Sequence, residues 1–211
     1  MQILLSGGYK SKNPRIYKTL DVKQTIAFIP SWFGSDSRKD FKRFRDKFKH
    51  AKVSFYPLDK ISKDQIKDLF KSDVIYIEGG NTYVLLHYIK KLKLHNKFKK
   101  FIKTKTLVGM SAGAIIQTPN INLAGIPYFN ADENLVSLKS KSALNLVDFE
   151  VFPHFDIKDR KEMQELKKYS QKRQRKIYLL PDGSNIQIDS EITVTGKHWT
   201  LQNGVLCKKL R

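Results

Sequence analysis

At 211 residues, 40% of them hydrophobic, the chain has length enough for one substantial core and is read as a single domain over 1–211. No run approaches the roughly 20 apolar residues of a membrane span, and Met1 to Gly8, short and without a basic start, reads as a first strand and not as a secretory signal. The 40 Lys and Arg against 20 Asp and Glu are spread over the polar faces of predicted helices at Arg38 to Lys49, Lys90 to Lys103 and Lys158 to Lys176, with no zinc-finger spacing and no basic tail, which speaks against a specific nucleic-acid partner.

After the first strand and a Gly/Lys/Asn/Pro-containing loop, Thr25 to Pro30 is a buried strand. Arg38 to His50 is helical, with Phe41, Phe44 and Phe48 on one face. Lys52 to Leu58 is the next strand. Ser62-Lys63-Asp64-Gln65 is a capping box, and Ile66, Leu69 and Phe70 form the buried stripe of the helix it starts. Asp73 to Ile77 is a strand running into Glu78-Gly79-Gly80-Asn81-Thr82, followed by a helix that buries Val84, Leu85, Tyr88, Ile89 and Leu92. Strands and helices alternate down to residue 118, and the early strands are continuous apolar runs. That pattern describes a doubly wound, mostly parallel α/β sheet covered on both faces, with its sites at the carboxyl ends of the strands.

The second half is more mixed. Val147 to Phe152 and Lys176 to Leu180 read as strands flanking a charged helix, Asp159 to Arg175. Ile186 to Ile188, Ile192 to Thr195, His198 to Leu201 and Val205 to Leu206 read as short antiparallel strands, the last pair a C-terminal hairpin turning at Asn203-Gly204. The single cysteine, Cys207, excludes an internal disulfide and suits a reducing cytoplasm. No clustered His or Cys suggests a metal.

Chemistry concentrates at Thr106-Leu107-Val108-Gly109-Met110-Ser111-Ala112-Gly113-Ala114. A strand leads into Gly-x-Ser-x-Gly and on into a helix, the setting of a nucleophile elbow. Glycines two residues either side of Ser111 avoid a collision at a strained turn. The helix that follows is expected to aim its free N–H groups and positive dipole end at Ser111. The plain alternative is a small-residue turn packed under a sheet.

A serine nucleophile needs a base, and the base an orienting group. Of the five histidines, His50, His87, His95 and His198 lie in or beside helices or in the terminal strands. His154 follows Pro153 at a strand end, where a general base belongs, although packing between Phe152 and Phe155 would also account for it. Asp182, in Leu180-Pro181-Asp182-Gly183, is the candidate acid, with an ordinary Asp-Gly turn as its alternative and Asp156 as a competitor. The order Ser, His, acid differs from the Ser, acid, His of α/β-hydrolases.

Together, Gly79-Gly80-Asn81-Thr82, Gly109-Met110-Ser111-Ala112-Gly113-Ala114, Pro153-His154-Phe155 and Leu180-Pro181-Asp182-Gly183 resemble the motifs of the dipeptidase E (aspartyl dipeptidase) family, to which cyanophycinase is related. The resemblance runs over most of the chain. It implies a fold like that of class I glutamine amidotransferases (flavodoxin-like), with serine in place of the usual cysteine. It implies Ser111 as nucleophile, His154 as base, and the backbone N–H groups of Gly80 and Ala112 as oxyanion hole. The implied activity is removal of an amino-terminal aspartate from short peptides without metal or cofactor. Asn81 or Thr82 is then the expected contact for the substrate's amino end, and the protein a monomer or homodimer. Lys158, Arg160 and Lys161 are the cations within sequence reach of His154 for an acidic side chain, although solvated helix charge also explains them. Two departures stand out. Asp182 occupies a position where the family commonly has Glu, and after the elbow helix the nearest downstream acid is Asp132. The third triad member therefore stays open among Asp182, Asp156 and Asp132. A cyanophycinase-like isopeptidase and a decayed, basic α/β binding protein are the rival readings.

Overall fold

A computed structural model describes residues 2–8, 20, 23–31, 35–126 and 131–209. Its first sheet is built from the buried runs. Gln2–Ser6 (β1), Thr25–Ser31 (β2), Lys52–Phe55 (β3), Val74–Gly80 (β4) and Thr106–Met110 (β5) lie parallel in the order β3-β2-β4-β5-β1. Successive residues of a strand face opposite sides. Ile3, Leu5, Ile75, Ile77 and Leu107 therefore enter one core layer, while Leu4, Phe28, Val74, Tyr76 and Val108 enter the other. Both faces being buried is why these strands read as continuous apolar runs.

Ser35–Lys47 (α1) covers the second layer, with Phe44 5.1 Å from Phe28 between ring centroids. The first layer is covered by Lys63–Lys71 (α2), Thr82–Lys91 (α3) and His95–Phe101 (α4). The capping box at Ser62 and Gln65 is formed. The basic stretch 90–103 is two short helices and not one. Leu92 N–H bonds back to Tyr88, Lys93 takes a left-handed φ of 54°, and Leu94 then buries completely, so the chain turns to bring Phe98 into the core.

The second half departs from the single sheet expected. Glu150–Pro153 (β6) and Ile177–Leu180 (β7) pair in parallel, joined through the helix Arg160–Arg173 (α6), and start a second sheet. His198–Gln202 (β10) and Val205–Lys209 (β11) complete it in the order β11-β10-β7-β6. Asn185–Ile188 (β8) and Ile192–Thr195 (β9) instead extend the first sheet, β8 running antiparallel to β1. The architecture is thus a seven-stranded, mostly parallel sheet beside a four-stranded mixed one. The C-terminal hairpin forms, turning through Asn203 and Gly204, both with positive φ, but it belongs to the second sheet. Strands of four residues carry little register information, so their partners are chosen by the open edge of β1 and by burial.

The inner strands of the second sheet, β6 and β7, are buried on both faces. Val151, Tyr178 and Leu180 face the main core, and Ile177, Leu179, Trp199 and Leu201 pack with Leu166 of α6. This wedges the tips of β6 and β7 against the tip of β1.

Candidate active site

Ser111 follows β5 with φ 50° and ψ −110°, a conformation L-residues avoid. The strain persists because its neighbours leave no alternative. A Cβ on Gly109 would overlap Gln117 Nε2 and the Gly113 carbonyl, and one on Gly113 would overlap the Ile77 carbonyl. The helix after the elbow is only Ala112–Ile115 (α5), so the positive end expected to face Ser111 is that of a single short helix. Gln117 and Thr118 already bond three residues back, and Pro119 ends the run. One helical turn remains, with Ala112 as its first residue beside Ser111.

Three segments distant in sequence meet at this serine. Ser111 Oγ lies 2.8 Å from His154 Nε2, and His154 Nδ1 lies 2.7 Å from Asp182 Oδ1. A carboxylate only accepts, so Nδ1 carries the proton and Nε2 is left to accept from the serine hydroxyl. His154 itself has φ 57°. Of the competing acids, Asp156 accepts from Lys158 N–H in its own turn, 2.9 Å away, and Asp132 sits on Thr82. Asp182 alone of the three is hydrogen-bonded to the imidazole.

The meeting is organised by Ser6-Gly7-Gly8 at the end of β1. Three successive carbonyls accept the backbone N–H groups of Ser111, His154 and Gly183, at 3.0, 3.1 and 3.2 Å. Gly7 N–H returns a bond to Ser184 at 3.0 Å. Gly8 lies close against the imidazole and carboxylate. A Cβ there would be 2.7 Å from His154 Nδ1 and Cε1 and would overlap Asp182 Oδ1. The sequence places Gly7 and Gly8 in the first-strand stretch and carries no sign of this function.

Gly79 passes close to the nucleophile, since a Cβ on it would be 3.0 Å from the Ser111 Cβ. Gly80, next along, lines a small cavity with Ser111 and His154. Asn81 and Thr82, expected at the substrate's amino end, are buried, and their polar groups are used within the protein. Asn81 caps α3 through Val84 N–H and donates to the Glu133 carbonyl. Thr82 gives both its N–H and its hydroxyl to Asp132 Oδ2. Together they hold the 132–133 segment over the site.

The cavity beside Ser111 measures about 60 Å³, room for about four water-sized groups. Ile115, Leu123, Ala124, Ile126 and Phe152 supply its apolar wall, and Asp132 and Glu162 its carboxyls. Burial raises the Asp132 carboxyl above the usual range, opposed by its Thr82 hydrogen bonds and by His154. Glu162, 3% exposed, is pushed by burial up to about 7, against the Asp156 N–H that it accepts and with the Asp159 and Asp156 charges adding to the rise. Lys158, Arg160 and Lys161 lie exposed at the start of α6 and do not line the cavity. His198 is buried elsewhere, donating from Nδ1 to the Gly196 carbonyl. Among the described residues no group of three His, Cys, Asp or Glu could hold a metal ion, and no helix is long and apolar enough to cross a membrane.

The sequence profile of peptidase family S51 matches residues 3–195. An uncharacterized peptidase of Pasteurella multocida, PM1590, is 32% identical over 142 residues, 63% of this chain and 65% of that protein. A protein of Drosophila melanogaster named probable alpha-aspartyl dipeptidase is 28% identical over 142 residues, 66% of this chain and 55% of its own. The chain thus spans less than two thirds of the length of either relative. A crystal structure from Listeria monocytogenes EGD-e, assigned to peptidase E, superposes with TM-score 0.75 at 24% identity, covering 92% of this chain and 97% of that one. At that identity the likeness is one of fold.

Proposed function

The chain belongs to peptidase family S51, and from that premise we propose that it is a serine-type peptidase cleaving short peptides through an acyl-enzyme on Ser111. The observation that carries the reading is the continuous hydrogen-bonded relay from Ser111 Oγ through His154 to Asp182, with links of 2.8 and 2.7 Å. Ser111 Oγ attacks the scissile carbonyl carbon while its proton passes to His154 Nε2. Asp182 keeps the other imidazole proton on Nδ1 and steadies the imidazolium. The tetrahedral oxyanion is received by the N–H groups of Gly80 and Ala112, whose chain segments border Ser111; one such donor is worth about 3 kcal/mol in the transition state. Collapse breaks the C–N bond, and His154 returns its proton to the leaving amine. Water, deprotonated by the same imidazole, then opens the ester and frees Ser111.

The strained turn at Ser111 supports this use, since Ser111 lines the cavity together with His154. Preference for an amino-terminal aspartate is the finer expectation, and the name of the Drosophila relative speaks for it. Incubation with a dipeptide panel, together with labelling by a small serine-reactive phosphonate, tests the peptidase reading. Hydrolysis and labelling both vanish in Ser111→Ala if it holds, and hydrolysis at the wild-type rate in that variant would refute it.

A further inference from the structure

The two ends of β6 carry different chemistry. His154 follows its last residue in the active site, whereas Asp148 and Phe149, just before its first, line a second cavity of about 480 Å³. From Phe149 to His154 the extended chain runs about 16 Å, so this cavity lies away from Ser111. Its volume is ordinary for a small-molecule site.

Three cations converge on it. α6 gives way at Gln174, whose left-handed φ of 55° turns the chain toward β7, and Arg173, Arg175 and Lys176 around this turn all line the cavity. Each is held by a contact of its own. The Arg173 guanidinium lies 5.7 Å from the Tyr169 ring centre and Lys176 Nζ 6.0 Å from the Tyr178 ring centre, while Arg175 Nη1 donates to the Asp148 carbonyl at 3.3 Å. A ring engages the face of a guanidinium and not its N–H edge, and Arg175 uses one of five donors in its bond. The Gln174 carbonyl, at the negative end of α6, accepts from Gln202 Nε2 at 3.4 Å. Among the described lining residues three cations therefore face one carboxylate, the exposed Asp148, and concave walls focus their field. Two linked phosphates spread acceptor oxygens widely enough to meet several cations at once, which a single carboxylate does not.

We propose that this cavity is a second binding site, for a small ligand carrying two or more phosphate groups, the chemistry common to inorganic pyrophosphate and a nucleoside diphosphate. Phe149 and Tyr178 also line it, and a base resting on them would separate the two sources.

The test is calorimetric titration of the full chain with pyrophosphate, ADP and tetra-aspartate at about 150 mM salt, where loose surface attraction is screened. The double variant Arg173→Gln/Lys176→Gln, which leaves the Arg175 bond in place, is expected to weaken pyrophosphate and ADP binding at least fivefold with an unchanged circular dichroism spectrum. Lys97→Gln/Lys99→Gln, which removes as much charge from the exposed side of α4, is expected to weaken it less than twofold. ADP at least tenfold tighter than pyrophosphate identifies a nucleotide site, and a smaller ratio identifies the phosphates as the whole ligand. Binding of both weaker than about 1 mM, tetra-aspartate binding as tightly as either, a smaller loss in the first variant, or an equal loss in the second overturns the proposal.

Discussion

Glu162 gives the sharpest quantitative test of the electrostatics around the site. It lies in the first turn of α6, 3% exposed, with Oε1 accepting the Asp156 N–H at 3.3 Å. Burial raises its carboxyl from the ordinary 4.5 to about 7. Below pH 4.5 the side chain is protonated in the folded and unfolded chain alike, and the group is neutral to stability. Between 4.5 and 7 the unfolded chain gives up a proton that the folded protein retains. The folded state then binds more protons, and stability falls with rising pH. That gap at 1.36 kcal/mol per pH unit amounts to about 3 kcal/mol, lost in full above pH 7. Glu162→Gln fills the same volume, retains the Oε1 acceptor and cannot ionise. Urea unfolding of both proteins at pH 4 and pH 8.5 isolates the effect, because the pH 4 difference contains every cost of the amide except the titration. The variant is expected to gain about 3 kcal/mol relative to wild type between the two pH values. An equal difference at both, or a relative loss at pH 8.5, would refute a buried carboxyl with a raised pKa.

Other perturbations follow from the same geometry. Gly8→Ala puts a methyl against the imidazole and carboxylate; dipeptide turnover should fall at least about 10²-fold while the circular dichroism spectrum stays near wild type, and full activity would show that the segment gives way. Asp182→Asn should reduce kcat by about 10²- to 10⁴-fold with KM little changed, because an amide can hold the wrong imidazole tautomer. A loss under threefold would remove Asp182 from its proposed role. Glu150 is 1% exposed and accepts from Asn120 Nδ2 and the Tyr169 hydroxyl, both at 2.7 Å. Tyr169→Phe deletes one of these donors to a buried carboxyl and should cost about 1–3 kcal/mol in urea unfolding, with a cost below about 0.5 kcal/mol counting against the network.

Much of the site is legible along the chain because the relevant signals are local. The elbow needs glycine at 109 and 113 for reasons confined to a few residues, and both glycines meet backbone or side-chain atoms where a Cβ would stand. The apolar runs of β1, β2, β4 and β5 report a sheet buried on both faces. The capping box at Ser62 and the hairpin turn at Asn203-Gly204 are likewise short-range. What the local pattern does not carry needs distant partners. The hydrogen bonds of Asn81 and Thr82 to Asp132 and Glu133, some fifty residues on, have no signal along the chain. The long basic helix at 90–103 ignored the pull of Leu94 and Phe98 into the core.

The sequence by itself therefore determined the alternating α/β layer, the serine at its strained turn and the histidine after Pro153, since periodicity and steric need act over a handful of residues. Only the tertiary structure decided which acid bonds His154, which sheet receives each short C-terminal strand, and that the cavity is lined with carboxyls. Those outcomes depend on where β1 ends. Three consecutive carbonyls of Ser6, Gly7 and Gly8 bond to segments lying over a hundred residues away, and no local pattern encodes a hydrogen bond of that range.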